Sequence, residues 1–255
     1  MFPAERRAKL INLLTASGFL QVGEISRKLE ISPITVRRDL QELEKEGICI
    51  RKRGGAISRN RSATMELPYA IKQVQNPDVK KRIADAALRF VESGDSLILD
   101  SGSTTFALAT RLVTKRHLYV VTNDLYVASK LATNPEINTI CTGGNVRPNV
   151  FSLQGNLAET CFRNLKVDTT FLGADAVHDD GCIYNVNIEE VPIKQEMIQA
   201  ATKVILLADS TKFLLQGFAK VCELNAIDSV ITDEGITPEQ QEMIRSRIKK
   251  DLIIV

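Results

Sequence analysis

The sequence has no tryptophan, two histidines and few aromatic residues. Its five cysteines, Cys49, Cys141, Cys161, Cys182 and Cys222, are odd in number and nowhere spaced C-x-x-C. That pattern indicates neither a disulfide framework nor a zinc site. With His117 and His178 as the sole imidazoles, a histidine-based metal centre is not expected either. No apolar run approaches the roughly 18 to 20 residues that a membrane helix needs. Residues 1–7 lead into a charged helical pattern and not into an apolar secretory segment. The absence of G-x-G-x-x-G and of G-x-x-x-x-G-K-[ST] speaks against a dinucleotide or nucleoside triphosphate. The expectation is a cytoplasmic protein with no membrane partner, no metal and no cofactor.

What is present is enough apolar residue, 44% of 255 positions, for one large or two modest domains. The formal net charge of +2 hides an asymmetry. Residues 1–60 hold 12 Lys/Arg against 7 Asp/Glu, a net +5, whereas residues 61–255 hold 21 against 24, a net −3. A basic head on a mildly acidic body is a weak but consistent sign of a nucleic-acid reader joined to a sensing or catalytic domain.

The head reads as three short helices. Pro3 suits a first helical turn, and Leu10, Ile11, Leu13 and Leu14 recur at helical spacing until Gly18. A second helix fits Val22 to Leu29. Ser32-Pro33 supplies an N-cap followed by proline at the first helical position, and a third helix runs to about Glu46 before Gly47. At about 100° per residue, Val36, Leu40 and Leu43 share one face of that helix. Ile34, Arg38, Gln41 and Lys45 share the opposite one, with Thr35 and Arg37 beside it. A guanidinium, an amide and an apolar tip are the groups that address guanine, adenine and the thymine methyl in a major groove. An Arg-Arg pair alone also fits a solvated surface helix, with Glu42 and Glu44 as partners. The segment that follows, Ile48-Cys49-Ile50-Arg51-Lys52-Arg53-Gly54-Gly55-Ala56-Ile57, gives two short β-like runs around a basic turn.

With Ile31-Ser32-Pro33-Ile34-Thr35-Val36-Arg37-Arg38-Asp39-Leu40 and the Arg53-Gly54-Gly55-Ala56 wing, residues 6–57 resemble the winged helix-turn-helix of the DeoR-type (DeoR/GlpR) family of bacterial transcriptional regulators. The resemblance implies a double-stranded DNA operator as partner, with base reading by Arg38 and Gln41. It also implies phosphate or minor-groove contacts from Arg37, Arg51, Lys52 and Arg53.

Residues 58–78 are polar and weakly periodic, reading as a linker between a head of residues 1–57 and a body of residues 79–255. In the body, apolar runs at Ser96 to Leu99, Leu118 to Val121, Thr139 to Cys141, Thr169 to Leu172, Val204 to Leu207, Ser229 to Ile231 and Leu252 to Val255 alternate with helical patterns. The expected fold class is therefore α/β, a winged helix-turn-helix plus a larger effector domain built on a mostly parallel sheet. Ligands collect at the carboxyl ends of parallel strands, and here those ends are rich in hydroxyls, amides, glycines and carboxylates. Asp100-Ser101-Gly102-Ser103-Thr104-Thr105, set between a strand and the helix Phe106 to Leu112, suits a phosphate at a helix N-terminus. Its hydroxyls equally suit plain helix capping.

The motifs from Asp100 to Thr105, Thr122-Asn123, Gly143-Gly144, Phe171-Leu172-Gly173-Ala174-Asp175, Glu190 with Lys194, and Ala208-Asp209-Ser210-Thr211-Lys212 recur in the order of DeoR-type effector domains, so the resemblance covers nearly the whole chain. It implies a fold similar to ribose-5-phosphate isomerase and a phosphorylated sugar or polyol as effector. Ser101 to Thr105 would hold the phosphate, and Asn123, Asp175, Lys194 and Lys212 would line the sugar end, with Asp100, Gly143 and Gly144 in the same site. Both lysines could instead be solvated, and Glu190 could merely support Lys194 as an i,i+4 pair. His178, in His178-Asp179-Asp180-Gly181, reads as a turn residue.

The resulting expectation is a repressor of a carbohydrate operon, at least dimeric, and not an enzyme. An isomerase-like enzyme with a DNA-binding head is the alternative. It is disfavoured because the isomerase's catalytic glutamate would fall near Lys194 and the acid after its Gly-Ala-Asp at Ala176. A DNA-binding architectural protein with a purely oligomerising body is a further reading, disfavoured by the polar strand ends. Pro192 suggests that the helix carrying Lys194 begins there.

Overall fold

The computed structural model describes residues 2–58, 63 and 66–255. They form two compact units, Met1–Gln75 and Asn76–Val255. The first unit runs α1 (Pro3–Ser17), β1 (Phe19–Gln21), α2 (Val22–Leu29), α3 (Pro33–Lys45), β2 (Cys49–Lys52), β3 (Gly55–Ser58) and α4 (Tyr69–Val74). Gly18 ends α1 in the left-handed conformation, φ 72°, its amide bonded to Leu14 O at 2.9 Å. Ser32 starts α3 by accepting the Thr35 amide at 3.1 Å, with Pro33 just inside. Val36, Leu40 and Leu43 turn inward against Leu10, Ile11 and Leu14 of α1 and Ile25 of α2. The antiparallel order is β1-β3-β2. The three-residue β1 escaped the sequence reading because it is too short to show alternation. β3 crosses β1 so closely that a Cβ at Gly55 would overlap the Leu20 carbonyl, so that position requires glycine.

The linker expected over 58–78 needs correction. Leu67, Tyr69 and Ile71 are buried, and Leu67 and Ile71 join the core of the first unit. Gln75 Nε2 donates to Asn12 Oδ1 at 3.0 Å, and the unit ends at Gln75 instead of 57. The buried residues Leu67, Tyr69 and Ile71 fall within five positions, too short a span to reveal a helical period. Of that segment, Arg59 to Ser62, Thr64 and Met65 lie outside the described residues.

The second unit continues with α5 (Pro77–Ala87), β4 (Ser96–Leu99), α6 (Ser103–Leu112), β5 (Leu118–Thr122), α7 (Leu125–Leu131), β6 (Ile137–Cys141), β7 (Asn145–Val146), β8 (Leu153–Gln154) and α8 (Asn156–Arg163). After these come β9 (Val167–Gly173), β10 (Ala176–Val177), β11 (Cys182–Asn185), α9 (Val191–Ala200), β12 (Ala201–Leu207), β13 (Ala219–Glu223), β14 (Ser229–Thr232), α10 (Pro238–Arg245) and β15 (Leu252–Ile254). Among the described residues the main sheet has seven strands in the order β15-β14-β12-β9-β4-β5-β6, each neighbouring pair parallel. Every run expected as a strand in the body lies in it. Side chains alternate between its faces: Leu97, Leu99, Phe171, Ile205 and Leu207 pack with α5, α6 and α7, whereas Ile98, Leu172, Val204 and Leu206 pack with α8, α9 and α10.

The chain starts this sheet in the middle. From β4 it winds outward through β5 and β6, then returns to the other side of β4 as β9 and winds outward again. The β4/β9 boundary is therefore a topological switch point, where successive loops diverge and leave a crevice at the carboxyl edge. Smaller pieces, the β7-β8 hairpin and the antiparallel β10-β11-β13 sheet, were not foreseen because strands of two to five residues carry little readable period. The cysteines are unbridged, and among the described residues no helix is long and apolar enough to cross a membrane.

Leu40 is 1% exposed at the centre of the α3 stripe. Leu40→Ala should cost the first unit about 2–5 kcal/mol, read as faster hydrogen exchange of the α3 amides. Unchanged protection would show that the stripe contributes no packing energy.

Candidate functional site

On α3 the face opposite the buried stripe is open to solvent. Ile34 is 75% exposed, and Arg37, Arg38, Gln41 and Lys45 are exposed around it. Neither Arg37 nor Arg38 forms a salt bridge among the described residues, whereas Lys45 pairs with Glu42 at 2.9 Å. Thr35 differs from its neighbours: it is half-buried, and its hydroxyl lies 2.9 Å from Ser32 Oγ, so it belongs to the helix cap. In the wing, Arg51, Lys52 and Arg53 are all exposed. The Arg51 amide donates to Glu44 Oε1 at 2.8 Å, and its guanidinium lies 3.9 Å from Glu44 Oε2.

At the carboxyl edge of the main sheet, Asp100 follows β4 and is fully buried. Its Oδ1 accepts the Ser101 amide at 2.8 Å and its Oδ2 the Gly173 amide at 2.8 Å, across the switch point. Lys194 Nζ also donates to Asp100 Oδ2, and to Gly173 O at 3.1 Å. Lys194 is thus a buried counterion and not a solvated lysine; its helix begins at Val191 with Pro192 in the first turn. Burial works against its charge, but Asp100 and Glu190 outweigh burial and raise its pKa, holding the ammonium protonated.

The next residues open α6. Gly102 occupies the N-cap position and offers no side-chain cap, while Thr105 Oγ1 turns back to donate to Gly102 O at 2.9 Å. Among the described residues, the hydroxyls of this loop therefore do not cap the helix amides. Ser101 and Ser103 are half-buried, Thr104 and Thr105 buried. By contrast α7 is capped: Asp124 Oδ1 accepts the amides of Tyr126 at 2.8 Å and Val127 at 2.9 Å. Its other oxygen accepts the Gly102 amide at 3.2 Å. Burial pushes the Asp124 carboxyl up to about 6. Asn123 Oδ1 and Thr142 Oγ1, at the ends of the adjacent strands β5 and β6, are buried without a hydrogen-bond partner among the described residues.

Glu190 does more than support Lys194. Its Oε1 accepts Ser152 Oγ at 2.6 Å and lies 3.1 Å from the Arg147 guanidinium, and its Oε2 accepts Asn185 Nδ2 at 2.8 Å. Burial works to raise its pKa, but Lys194, Arg147 and these bonds outweigh it and hold the carboxyl below the ordinary range. The β7-β8 hairpin is thereby tied to the start of α9. Asn123 clasps its other side, exchanging bonds with the Leu153 backbone at 2.7 and 3.1 Å. Gly143 and Gly144 lead into this hairpin, and a Cβ at Gly144 would collide with the Gln154 carbonyl.

Asp175 Oδ2 accepts the Val186 amide at 3.1 Å, and its charge acts on Lys194. Lys212 is half-buried in the 3-10 turn Ser210–Leu214, whose own ties run to Asp209 and Asp233. His178 does stand in a turn, accepting the Gly217 amide on Nε2 at 3.2 Å. Sequence reasoning missed Arg147 and Ser152, and the tie from Asp124 to Gly102, since each acts through a partner distant in the chain; it also missed Asn185, which meets Glu190 only because both are buried. Among the described residues no group of three or more His, Cys, Asp or Glu could hold a metal ion.

Comparison with known proteins fits this division. Residues 6–62 match the family model of a DeoR-like helix-turn-helix domain, and residues 75–234 that of a DeoR C terminal sensor domain. The HTH-type transcriptional regulator GolR of Listeria innocua is 34% identical over 92% of this chain and 92% of its own length. The regulator GlpR of Haloferax volcanii is 34% identical over 96% of each chain, and the transcriptional repressor AccR of Agrobacterium fabrum 30% identical over 98% of this chain and 96% of its own. A solved D-ribose-5-phosphate isomerase in complex with phospho-erythronic acid aligns with a TM-score of 0.41 at 18% identity, covering 54% of each chain.

The buried Asp124 carboxyl carries a pH signature. Its pKa in the folded protein, about 6, lies above its unfolded value. The folded state therefore holds this proton more tightly, and the stability it lends below about pH 4 is lost as pH rises through about 6. Relative to Asp124→Asn, the native protein should lose about 2–3 kcal/mol between pH 4 and pH 7. Urea unfolding at both pH values is the measurement, and parallel profiles would remove this carboxyl from the account.

Proposed function

Because this chain belongs to the DeoR-type family of transcription regulators, we propose that it represses an operon for sugar or polyol breakdown and that a phosphorylated intermediate of that breakdown releases it from DNA. The chain is a DNA-binding transcription regulator and not an enzyme. The observation that carries the effector reading is the start of α6. A ten-residue helix opens at the switch point on Gly102, with no side chain capping its first amides. Those amides and the partial positive charge of the helix end suit a dianion, and Ser101, Ser103, Thr104 and Thr105 add hydroxyls. Asn123 Oδ1 and Thr142 Oγ1 can accept from sugar hydroxyls. Asp175, Gly143, Gly144 and Lys212 belong to the same edge in this reading, while Asp100 and Lys194 hold its floor.

The ligand is returned unchanged. Lys194 donates its protons to Asp100 and Gly173 O, and Ala176 has no ionisable group, so neither position offers a proton acceptor. Binding energy is then available to shift a conformational equilibrium, by about 1–3 kcal/mol per coupled site.

On the DNA side, Arg38, Gln41 and Ile34 read bases in the major groove, Thr35 holds the helix cap, and Arg37, Arg51, Lys52 and Arg53 meet phosphates or the minor groove. One short reading helix contacts too few base pairs for genomic selectivity, so the protein works as at least a dimer on paired half-sites.

Operator fragments selected by the protein from random DNA give the test of both halves. Arg38→Ala should lose about 1–3 kcal/mol on the operator and relax preference at one base position, whereas Arg51→Ala should weaken all sequences alike and flatten the salt dependence. Equal loss on every sequence for Arg38→Ala would misplace the reading face.

For the effector, a panel of sugar and polyol phosphates is screened for thermal stabilisation of the full chain and for release of the operator. At a concentration of 100 Kd a true ligand stabilises the folded state by about 2.7 kcal/mol. Its unphosphorylated counterpart should do neither. Ser103→Glu should bind operator normally and ignore the ligand. Equal responses to sugar and sugar phosphate, or conversion of the ligand to an isomer, would overturn the proposal.

A further inference from the structure

Two consecutive arginines of α1 reach α3 from behind. Arg6 Nε donates to Asp39 Oδ2 at 2.7 Å, and its terminal nitrogen donates to Asp39 Oδ1 at 3.1 Å. Arg7 donates to Glu46 Oε1 at 3.2 Å. The Arg6 and Asp39 side chains are 15% and 6% exposed, so this pair lies inside the first unit, beneath the surface that carries Arg38. Asp39 and Glu46 are separated by two helical turns, about 10 Å along the axis.

Apolar packing by itself holds a helix loosely in rotation, since burial of Val36, Leu40 and Leu43 is not directional. A bidentate guanidinium–carboxylate fork is directional: two parallel N–H···O bonds fix the plane and azimuth of the carboxylate. Rotating a helix by about 20° moves a side chain near its outer radius by on the order of 2 Å. That displacement exceeds the tolerance of a base-edge hydrogen bond. Asp39 is also the immediate neighbour of Arg38, and its charge would oppose phosphate approach were it not buried against Arg6.

We propose that Arg6 and Asp39, with Arg7 and Glu46 as a second tie, are positioning residues for DNA reading: they set the rotation of α3 and so decide which base edges Arg38 and Gln41 can reach, without touching DNA themselves. This rests on the assignment of α3 as the reading helix. It separates the basic residues of the head into those that meet DNA and those that aim the ones that do.

The test uses the full chain, the selected operator and a random-sequence duplex, titrated from about 50 to 200 mM salt. Arg6→Gln and Asp39→Asn should each lower the preference for operator over random duplex by about tenfold or more, leave random-duplex affinity within about twofold, and leave the salt slope unchanged. The exchanged pair Arg6→Asp with Asp39→Arg should recover part of the preference. If Arg6 is a phosphate contact, Arg6→Gln instead weakens both duplexes equally and reduces the slope by about one, which overturns the proposal. Asp39→Asn with higher affinity for both duplexes would reduce Asp39 to a charge effect and overturn it too. Should Arg6→Gln leave the α3 amides unprotected from exchange, Arg6→Lys decides, because lysine keeps the charge and cannot form the fork: a comparable drop in preference supports the fork, and wild-type preference rejects it. Arg38→Ala is run in parallel. Altered selectivity there with none in the Arg6 and Asp39 variants rejects the fork alone, whereas unaltered selectivity in Arg38→Ala rejects the reading helix.

Discussion

Asp100 joins three parts of the second unit that are distant in the chain: the loop into α6 through the Ser101 amide, the end of β9 through the Gly173 amide, and α9 through Lys194. A carboxylate buried this deeply is tolerated only when it is paired and hydrogen-bonded, and each of these bonds meets part of that requirement. Lys194, equally buried, has the converse need and meets it with Asp100 and the Gly173 carbonyl. The ion pair therefore spans the switch point and holds the start of α6 in register with the end of β9. The loops at the carboxyl edge are arranged around it.

Two further carboxylates work outward from there. Asp124 supplies the cap of α7 and also holds the Gly102 amide, so the two helices that follow β4 and β5 begin from a shared anchor. Glu190 ties the β7-β8 hairpin to the start of α9 through Arg147, Ser152 and Asn185. Asp100, Asp124 and Glu190 are all carboxylates used as structural acceptors within the protein.

The head applies the same economy to DNA. Its net charge of +5 over residues 1–60 arises after Arg6, Arg7, Lys45 and Arg51 have found acidic partners within the unit. Arg37, Arg38, Lys52 and Arg53 remain among the exposed cations, on the outer face of α3 and in the wing. The arginines that look alike in composition thus divide by pairing within the unit, which a charge count cannot see.

What is local was legible from the amino-acid order. Helix α3 could be drawn from Ser32-Pro33 and its stripe from Val36, Leu40 and Leu43, because capping and a 3.6-residue period are properties of neighbouring residues. The seven strands of the main sheet were legible for the same reason, as β-branched runs between helical patterns, and so was the run of hydroxyls after β4. The spatial order of those strands was not, and with it the switch point between β4 and β9, because a parallel pair is joined through a crossover that leaves no trace in either strand. The linker ran into α4 because Leu67 and Ile71 show their worth only against Leu10 and Leu14. Lys194 and Glu190 looked like a surface i,i+4 pair by spacing, yet burial sent one to Asp100 and the other to Arg147. Chain order determined the elements and the kinds of chemistry available; tertiary structure alone decided which charges meet, since pairing of buried ions depends on distances between residues that the chain itself holds far apart.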